Sequence, residues 1–272
     1  MKVYISVDLE GITGMVDKSQ VETEGHDYTY ARKCLISDLN AAVEGAREGG
    51  AEEITINDSH GTMTNLLLNE LSCGTKVIVG RNKCFSMMEG IDASYQGVFF
   101  VGYHAMKNTL GGTLSHSYTT RFHSVKINNI EAGEFLINGL YAAYFGVPVI
   151  FVSGDQAMAD EAMKLVPGIG HATVKKGLGQ HSTMSLTLRE SAPLIKTEAK
   201  KAVSKYSDIA PLQLSSPYTL EVKMNLEVYA DIACRIPTLE RVSPVTVRCR
   251  EKDYETLFKT FLAINSVVES IN

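Results

Sequence analysis

The chain has 272 residues, 44% of them apolar and 21% charged, with a formal net charge of -5. That balance is ordinary for a globular protein and excludes a wholly disordered chain. The acidic excess argues against a nucleic-acid partner held through many phosphates, and no run of about 18 apolar residues marks a membrane span.

The length allows about two domains or one large one, with a core that needs no staples. The first predicted strand is Val3–Val7, cut off at once by Asp8-Leu9-Glu10-Gly11. This opening apolar run is too short for a signal peptide, so a cytoplasmic protein is expected. Residues 30–48 carry Cys34, Leu35, Leu39, Ala42, Val43 and Ala46 at helical spacing and stop at Gly49-Gly50. Ile54-Thr55-Ile56 then runs into Asn57-Asp58-Ser59-His60-Gly61, and 77–80 is a weaker strand of the same kind. Val98–Val101 leads into Gly102-Tyr103-His104, and 147–152 leads into Ser153-Gly154-Asp155. Helices are predicted over 135–144 and 156–165, the second closed by Pro167-Gly168. Continuous apolar strands alternating with helices predict an α/β fold, a mostly parallel sheet with flanking helices. Beyond residue 175 the pattern predicts a long amphipathic helix over 183–205, half-buried strands at 220–224 and 245–249, and a final helix over 254–270. The expected division is an α/β part, 1–175, and a smaller α+β part, 176–272.

The five cysteines, Cys34, Cys73, Cys84, Cys234 and Cys249, form no CxxC pair. They make a poor disulfide framework and a poor thiolate metal site. Any metal would need nitrogen and oxygen ligands. The predicted strand ends carry Asp8 and Glu10, Asp58 and His60, His104, and Asp155. Residues i and i+2 of an extended chain point to one side, so each pair can converge on one point. Two carboxylates and two histidines are a ligand set for zinc or a similar divalent ion. Each residue alone also reads as a solvated turn or a structural histidine; acids and histidines at three strand ends together favour the metal. Asp58 can equally brace His60 from behind, and Asp155 can cap the helix that follows it. His116 lies in a glycine-led loop, Gly111-Gly112-Thr113-Leu114-Ser115-His116-Ser117, which suits either a general acid/base or an exposed histidine. Glu134 begins a helix, where it can favour the dipole or turn inward as a ligand. His26, His123, His171 and His181 lack acidic neighbours at ligand spacing and read as surface or structural.

Taken in order, the segments Val7-Asp8-Leu9-Glu10-Gly11-Ile12-Thr13-Gly14, Asn57-Asp58-Ser59-His60-Gly61-Thr62-Met63-Thr64-Asn65-Leu66, Phe85-Ser86-Met87-Met88-Glu89-Gly90, Gly102-Tyr103-His104-Ala105, Leu114-Ser115-His116-Ser117, Gly133-Glu134 and 148–155 resemble the D-aminopeptidase family of the dipeptide-transport operon, the M55 metallopeptidases. The likeness is dense over the first 155 residues and diffuse beyond. It implies a zinc-dependent aminopeptidase with two zinc ions per subunit, hydrolysing short peptides with an N-terminal D-amino acid of the D-Ala type, and a ring-based homodecamer. It carries the ligand roles onto Asp8, Glu10, His60, His104 and Glu134, with Asp8 bridging, and a catalytic role onto His116. The implied chemistry is attack by a metal-activated water. Two other readings compete: a metal-dependent amidase or phosphoesterase, and a peptide-binding protein with a structural metal.

Overall fold

The structure is a computed structural model and describes residues 1–271. In chain order the elements are β1 (Lys2–Val7), α1 (Lys18–Val21), α2 (Tyr28–Glu48), β2 (Glu53–Asp58), β3 (Thr75–Ile78), β4 (Gly97–Tyr103), β5 (Phe122–Ile127), β6 (Ile130–Glu131), α3 (Glu134–Tyr144), β7 (Val149–Asp155), α4 (Gln156–Leu165), β8 (Gly170–Gly179), β9 (Ser182–Ser185), α5 (Leu188–Ser204), β10 (Tyr218–Met224), α6 (Glu227–Ala233), β11 (Glu240–Ser243), β12 (Thr246–Glu251) and α7 (Tyr254–Glu269). A large sheet runs β3-β2-β1-β4-β7-β8-β9 and a small one β11-β12-β10-β5-β6. The large sheet is parallel from β3 to β8, with β9 antiparallel at its edge. The small sheet is antiparallel throughout. The expected α/β class therefore holds.

Period-two alternation sends the strand side chains into two cores. Val3, Ile5, Val7, Phe99 and Val101 pack with α2 and α5 on one face of the large sheet. Tyr4, Val98 and Phe100 face the other way, into a core shared with α3, α7 and the small sheet. Central strands buried on both faces explain the continuous apolar runs.

The segment expected to be one helix over 183–205 divides in two. Residues Ser182–Ser185 form β9, paired with β8. The helix starts only at Leu188, where Thr187 and Glu190 make a reciprocal capping box. Residue 175 falls inside β8, so the sheets do not part there. Strand β9 and helix α5 return to the large sheet, while β5 and β6 from the first half join the small one.

Strand β1 pairs with β2 on one side and β4 on the other. The order of the strands reverses between β1 and β4, and in open α/β sheets that is where a crevice opens beyond the carboxyl ends. The backbones touch there: Gly11 N donates to Gly102 O at 2.7 Å. A Cβ at Gly11 would lie 1.9 Å from the Tyr103 carbonyl oxygen, and one at Gly102, with φ +70°, would lie 2.3 Å from that of Asp8. Only glycine permits this approach.

Candidate metal centre

All six residues singled out in the sequence gather at this crevice. Asp8 and Glu10 follow β1, His60 follows β2, His104 follows β4, Glu134 opens α3, and His116 comes from the loop between β4 and β5. Five of them, Asp8, Glu10, His60, His116 and Glu134, line a cavity of about 170 Å³. Asp8, Glu10 and His104 each offer a ligand atom within 4.8 Å of the others, and so do His104, His116 and Glu134. His104 thus belongs to two adjoining groups.

The imidazoles are oriented alike. His60 Nε2 meets the Val21 carbonyl at 2.7 Å, His104 Nδ1 meets that of Ala105 at 3.0 Å, and His116 Nδ1 meets that of Leu114 at 2.8 Å. A carbonyl oxygen only accepts, so the ring nitrogen facing it carries a proton and donates. The remaining nitrogen of each ring faces carboxylates. His60 Nδ1 lies 3.1 Å from Asp8 Oδ1 and 2.9 Å from Glu10 Oε2. His104 Nε2 is 3.5 Å from both Asp8 Oδ2 and Glu134 Oε1. His116 Nε2 is 3.9 Å from Glu134 Oε1, and its ring stacks on that of His104 at 4.3 Å. Backbone bonds that fix ring and tautomer are the usual support behind metal-binding histidines.

Two atoms of this group are buried with no hydrogen-bond partner, Glu10 Oε2 and His104 Nε2. The 2.9 Å approach of His60 to Glu10 falls outside hydrogen-bonding angles and leaves that oxygen unsatisfied. Buried unsatisfied polar atoms are costly. Here a ring nitrogen and a carboxylate oxygen lie close together, as the ligands of one cation do. The residues present fit a divalent ion with nitrogen and oxygen ligands.

The electrostatics agree. Burial, reinforced by the Glu10 charge, pushes Asp8 up to about 7. Burial also presses on Glu10, but the adjacent His60 holds its carboxyl well below the usual range. Glu134 is lowered in the same way by His104 against burial. Burial opposes a charge on His60 and His104, yet Glu10 and Glu134 outweigh it; His60 rises well above the ordinary value and His104 to about 10. Without a cation, protons on imidazole balance the acids. A divalent ion displaces those protons, so its affinity falls as the pH falls.

Other residues hold the frame. Asp155 realises the capping role, accepting from Met158 N at 2.7 Å, and also takes Thr113 N at 3.1 Å, gripping the His116 loop. Asp58 does not touch the His60 ring; it accepts from Asn65 N and Leu66 N, and Asn65 Nδ2 in turn donates to the His60 carbonyl. Leu114 (φ +53°) and Tyr118 (φ +62°) bracket His116 in left-handed backbone. Such geometry is strained for bulky residues and marks functional loops. Tyr118 N is held there by Glu134 Oε1 at 2.7 Å.

Sequence reasoning missed Lys175 and Asp38. Lys175 is 2% exposed. Its Nζ donates to the carbonyls of Glu10, Ile12 and Met15, the last two at 3.1 and 2.6 Å. Asp38 accepts from Thr13 N at 2.9 Å and from Thr13 Oγ1 at 2.8 Å. Together they close the loop that presents Glu10. Asp38 had a signal, since it sits four residues from Cys34 and from Ala42 on the apolar face of α2. Lys175 had none. His26 and His181 are exposed and His123 and His171 half-buried, away from the cluster.

A model of the peptidase M55 family, described as D-aminopeptidase, matches residues 1–263. A curated D-aminopeptidase of Bacillus subtilis (strain 168) is 31% identical over 268 residues, covering 98% of this chain and 97% of its own. The solved structure of the Zn-dependent D-aminopeptidase DppA from Bacillus subtilis, described as a self-compartmentalizing protease, is similar at a TM-score of 0.97 and 30% identity, covering 100% of this chain and 99% of that one.

Proposed function

The chain belongs to the peptidase M55 family of D-aminopeptidases, and from that premise we propose a dinuclear zinc aminopeptidase that removes an N-terminal D-residue, D-alanine foremost, from short peptides. Asp8, Glu10, His60, His104 and Glu134 would hold the two ions, with Asp8 placed between the ligands His60 and His104, and His116 would be the catalytic residue. The observation that carries this reading is the orientation of three imidazoles, each fixed by a backbone carbonyl and each turned on buried carboxylates, with Glu10 Oε2 and His104 Nε2 unsatisfied between them.

Zinc bound there supplies Lewis acidity and makes hydroxide available near neutral pH. The chain's own groups do the rest. Asp8, Glu10 and Glu134 bring the negative charge that holds the cations. His116 keeps its Nδ1 proton on Leu114, so its Nε2 is the atom that accepts a proton. Burial lowers its proton affinity, which keeps Nε2 free to take up a proton and pass it on to the leaving amine. Once protonated, the same ring faces developing negative charge on the carbonyl oxygen. Met63 and, from α7, Asn265 complete the lining of the cavity beside these groups.

The working particle is proposed to be a homodecamer in the cytoplasm. The self-compartmentalizing relative supports an oligomer. No helix among the described residues is long and apolar enough to cross a membrane, and all five cysteines are free, as suits a reducing compartment. The test is metal analysis with turnover of D-Ala-led against L-Ala-led short peptides, phosphoesters and N-acyl amino acids. Zinc-dependent release of D-alanine is expected. Preference for a phosphoester or N-acyl compound, or turnover untouched by a chelator, contradicts the reading.

A further inference from the structure

The metal cavity of about 170 Å³ is below the ~300–1,000 Å³ of ordinary ligand pockets. It holds the reacting end of a peptide and little more. A second cavity of about 470 Å³ adjoins it, and Gly61, Met63, Ser86 and Asn265 line both. Its outer wall carries Arg81, Asn82 and Lys83, from the loop that follows β3.

Three features of this cavity stand unused by the metal centre. Asn265 Oδ1, on α7 at the junction, is buried with no hydrogen-bond partner. Arg81 is exposed and makes no hydrogen bond or ion pair with any described residue. Lys83 is half-buried and anchored: its Nζ donates to Asn57 Oδ1 and to the Asp58 carbonyl, both at 2.5 Å. An ammonium has three donors, so one remains. The single carboxylate in the lining, Glu269, is already engaged by Thr119 Oγ1 and by Arg121 Nε at 3.8 Å. The wall is therefore cationic, with a free guanidinium fork whose planar donors match a carboxylate.

We propose that this second cavity is the subsite for the C-terminal carboxylate of a short peptide, held by Arg81 with Lys83 behind it, and that Asn265 Oδ1 accepts a peptide N–H at the passage between the two cavities. This rests on the aminopeptidase reading and deepens it. A carboxylate beyond the scissile bond is the one charged group that every short unblocked peptide shares, whatever its side chains. The subsite makes the enzyme a reader of peptide length: free di- or tripeptides reach Arg81, whereas amides and blocked chains do not gain from it.

The test compares D-Ala-Gly and D-Ala-Gly-Gly, each as free acid and as C-terminal amide, on zinc-loaded wild type, Arg81→Gln, and Arg250→Gln, the last an exposed arginine on the small sheet. Wild type is expected to prefer the free acid by roughly tenfold or more in kcat/KM at one length, mainly through KM, as a charge-assisted bond implies. Arg81→Gln brings that preference close to one, and Arg250→Gln keeps it. Equal use of acid and amide by wild type, or a preference that survives in Arg81→Gln, overturns the subsite while leaving the aminopeptidase reading in place. Wild type that cleaves neither form of either peptide brings down both.

Discussion

Two buried polar clusters flank the turn that follows β1, and they differ in one respect. On one side, Lys175 gives its protons to three carbonyls, and Asp38 is met by Thr13 and by Ser191 Oγ at 3.3 Å. On the other, Asp8, Glu10, His60, His104 and Glu134 crowd together as charge contacts, yet Glu10 Oε2 and His104 Nε2 have no hydrogen-bond partner. Both clusters are buried and both carry charge. The satisfied one holds the backbone; the unsatisfied one has the donor set that a divalent cation takes. The completeness of hydrogen bonding, more than burial or charge, separates a brace from a binding site.

The sharpest way to break this comparison is to remove ligands. His60→Ala and His104→Ala are expected to lose zinc together with all measurable turnover; stoichiometric zinc in either purified variant contradicts the ligand assignment. His116→Ala keeps its zinc and loses about 10²–10⁴-fold in kcat, the usual size of a general acid/base contribution. Near wild-type kcat in that variant removes its catalytic role.

The braced side responds in stability. Burial, against the Thr13 hydrogen bonds, pushes Asp38 up to about 6 from the ordinary 3.8. A raised carboxyl means that the folded state holds the proton more tightly than the unfolded chain. Its contribution is complete below about 3.8 and is lost as the pH rises through about 6. Urea unfolding of wild type and Asp38→Asn at a series of pH values is therefore expected to show wild type losing roughly 3 kcal/mol relative to the variant between about pH 4 and 7. A difference constant with pH contradicts this. Lys175→Met gives the smallest effect, a loss of about 10–100-fold in zinc affinity with the chain still folded, the range seen when support behind a ligand is removed. Unchanged affinity in a folded Lys175→Met separates the brace from the site.

The sequence shows the two clusters unequally, for a physical reason. Asp8 and Glu10, or His60 at the end of β2, are readable because a strand end and its polar exit are local, and i, i+2 spacing fixes a common side. Glu134 is ambiguous at that level, since a carboxylate in a first helical turn serves the dipole as well as a ligand. Its inward turn depends on Tyr118 and His104, which come from other elements. Lys175 reads as one of two lysines on an edge-bound strand; it is buried because a loop some 160 residues earlier folds over it. The small sheet is hidden likewise, as β5 pairs with β10 about a hundred residues away. The same limit explains the expected helix over 183–205: local spacing could not show that Ser182–Ser185 would find β8 as a partner.

The most direct test of the account is a zinc titration of the chelated protein, read by release of D-alanine from D-Ala-Gly-Gly. The account predicts no turnover after chelation, recovery that saturates at two zinc ions per chain, and no matching turnover of L-Ala-Gly-Gly. Turnover that persists in the chelated protein, or zinc binding that saturates without restoring it, would contradict the claim that the unsatisfied cluster is a catalytic zinc centre.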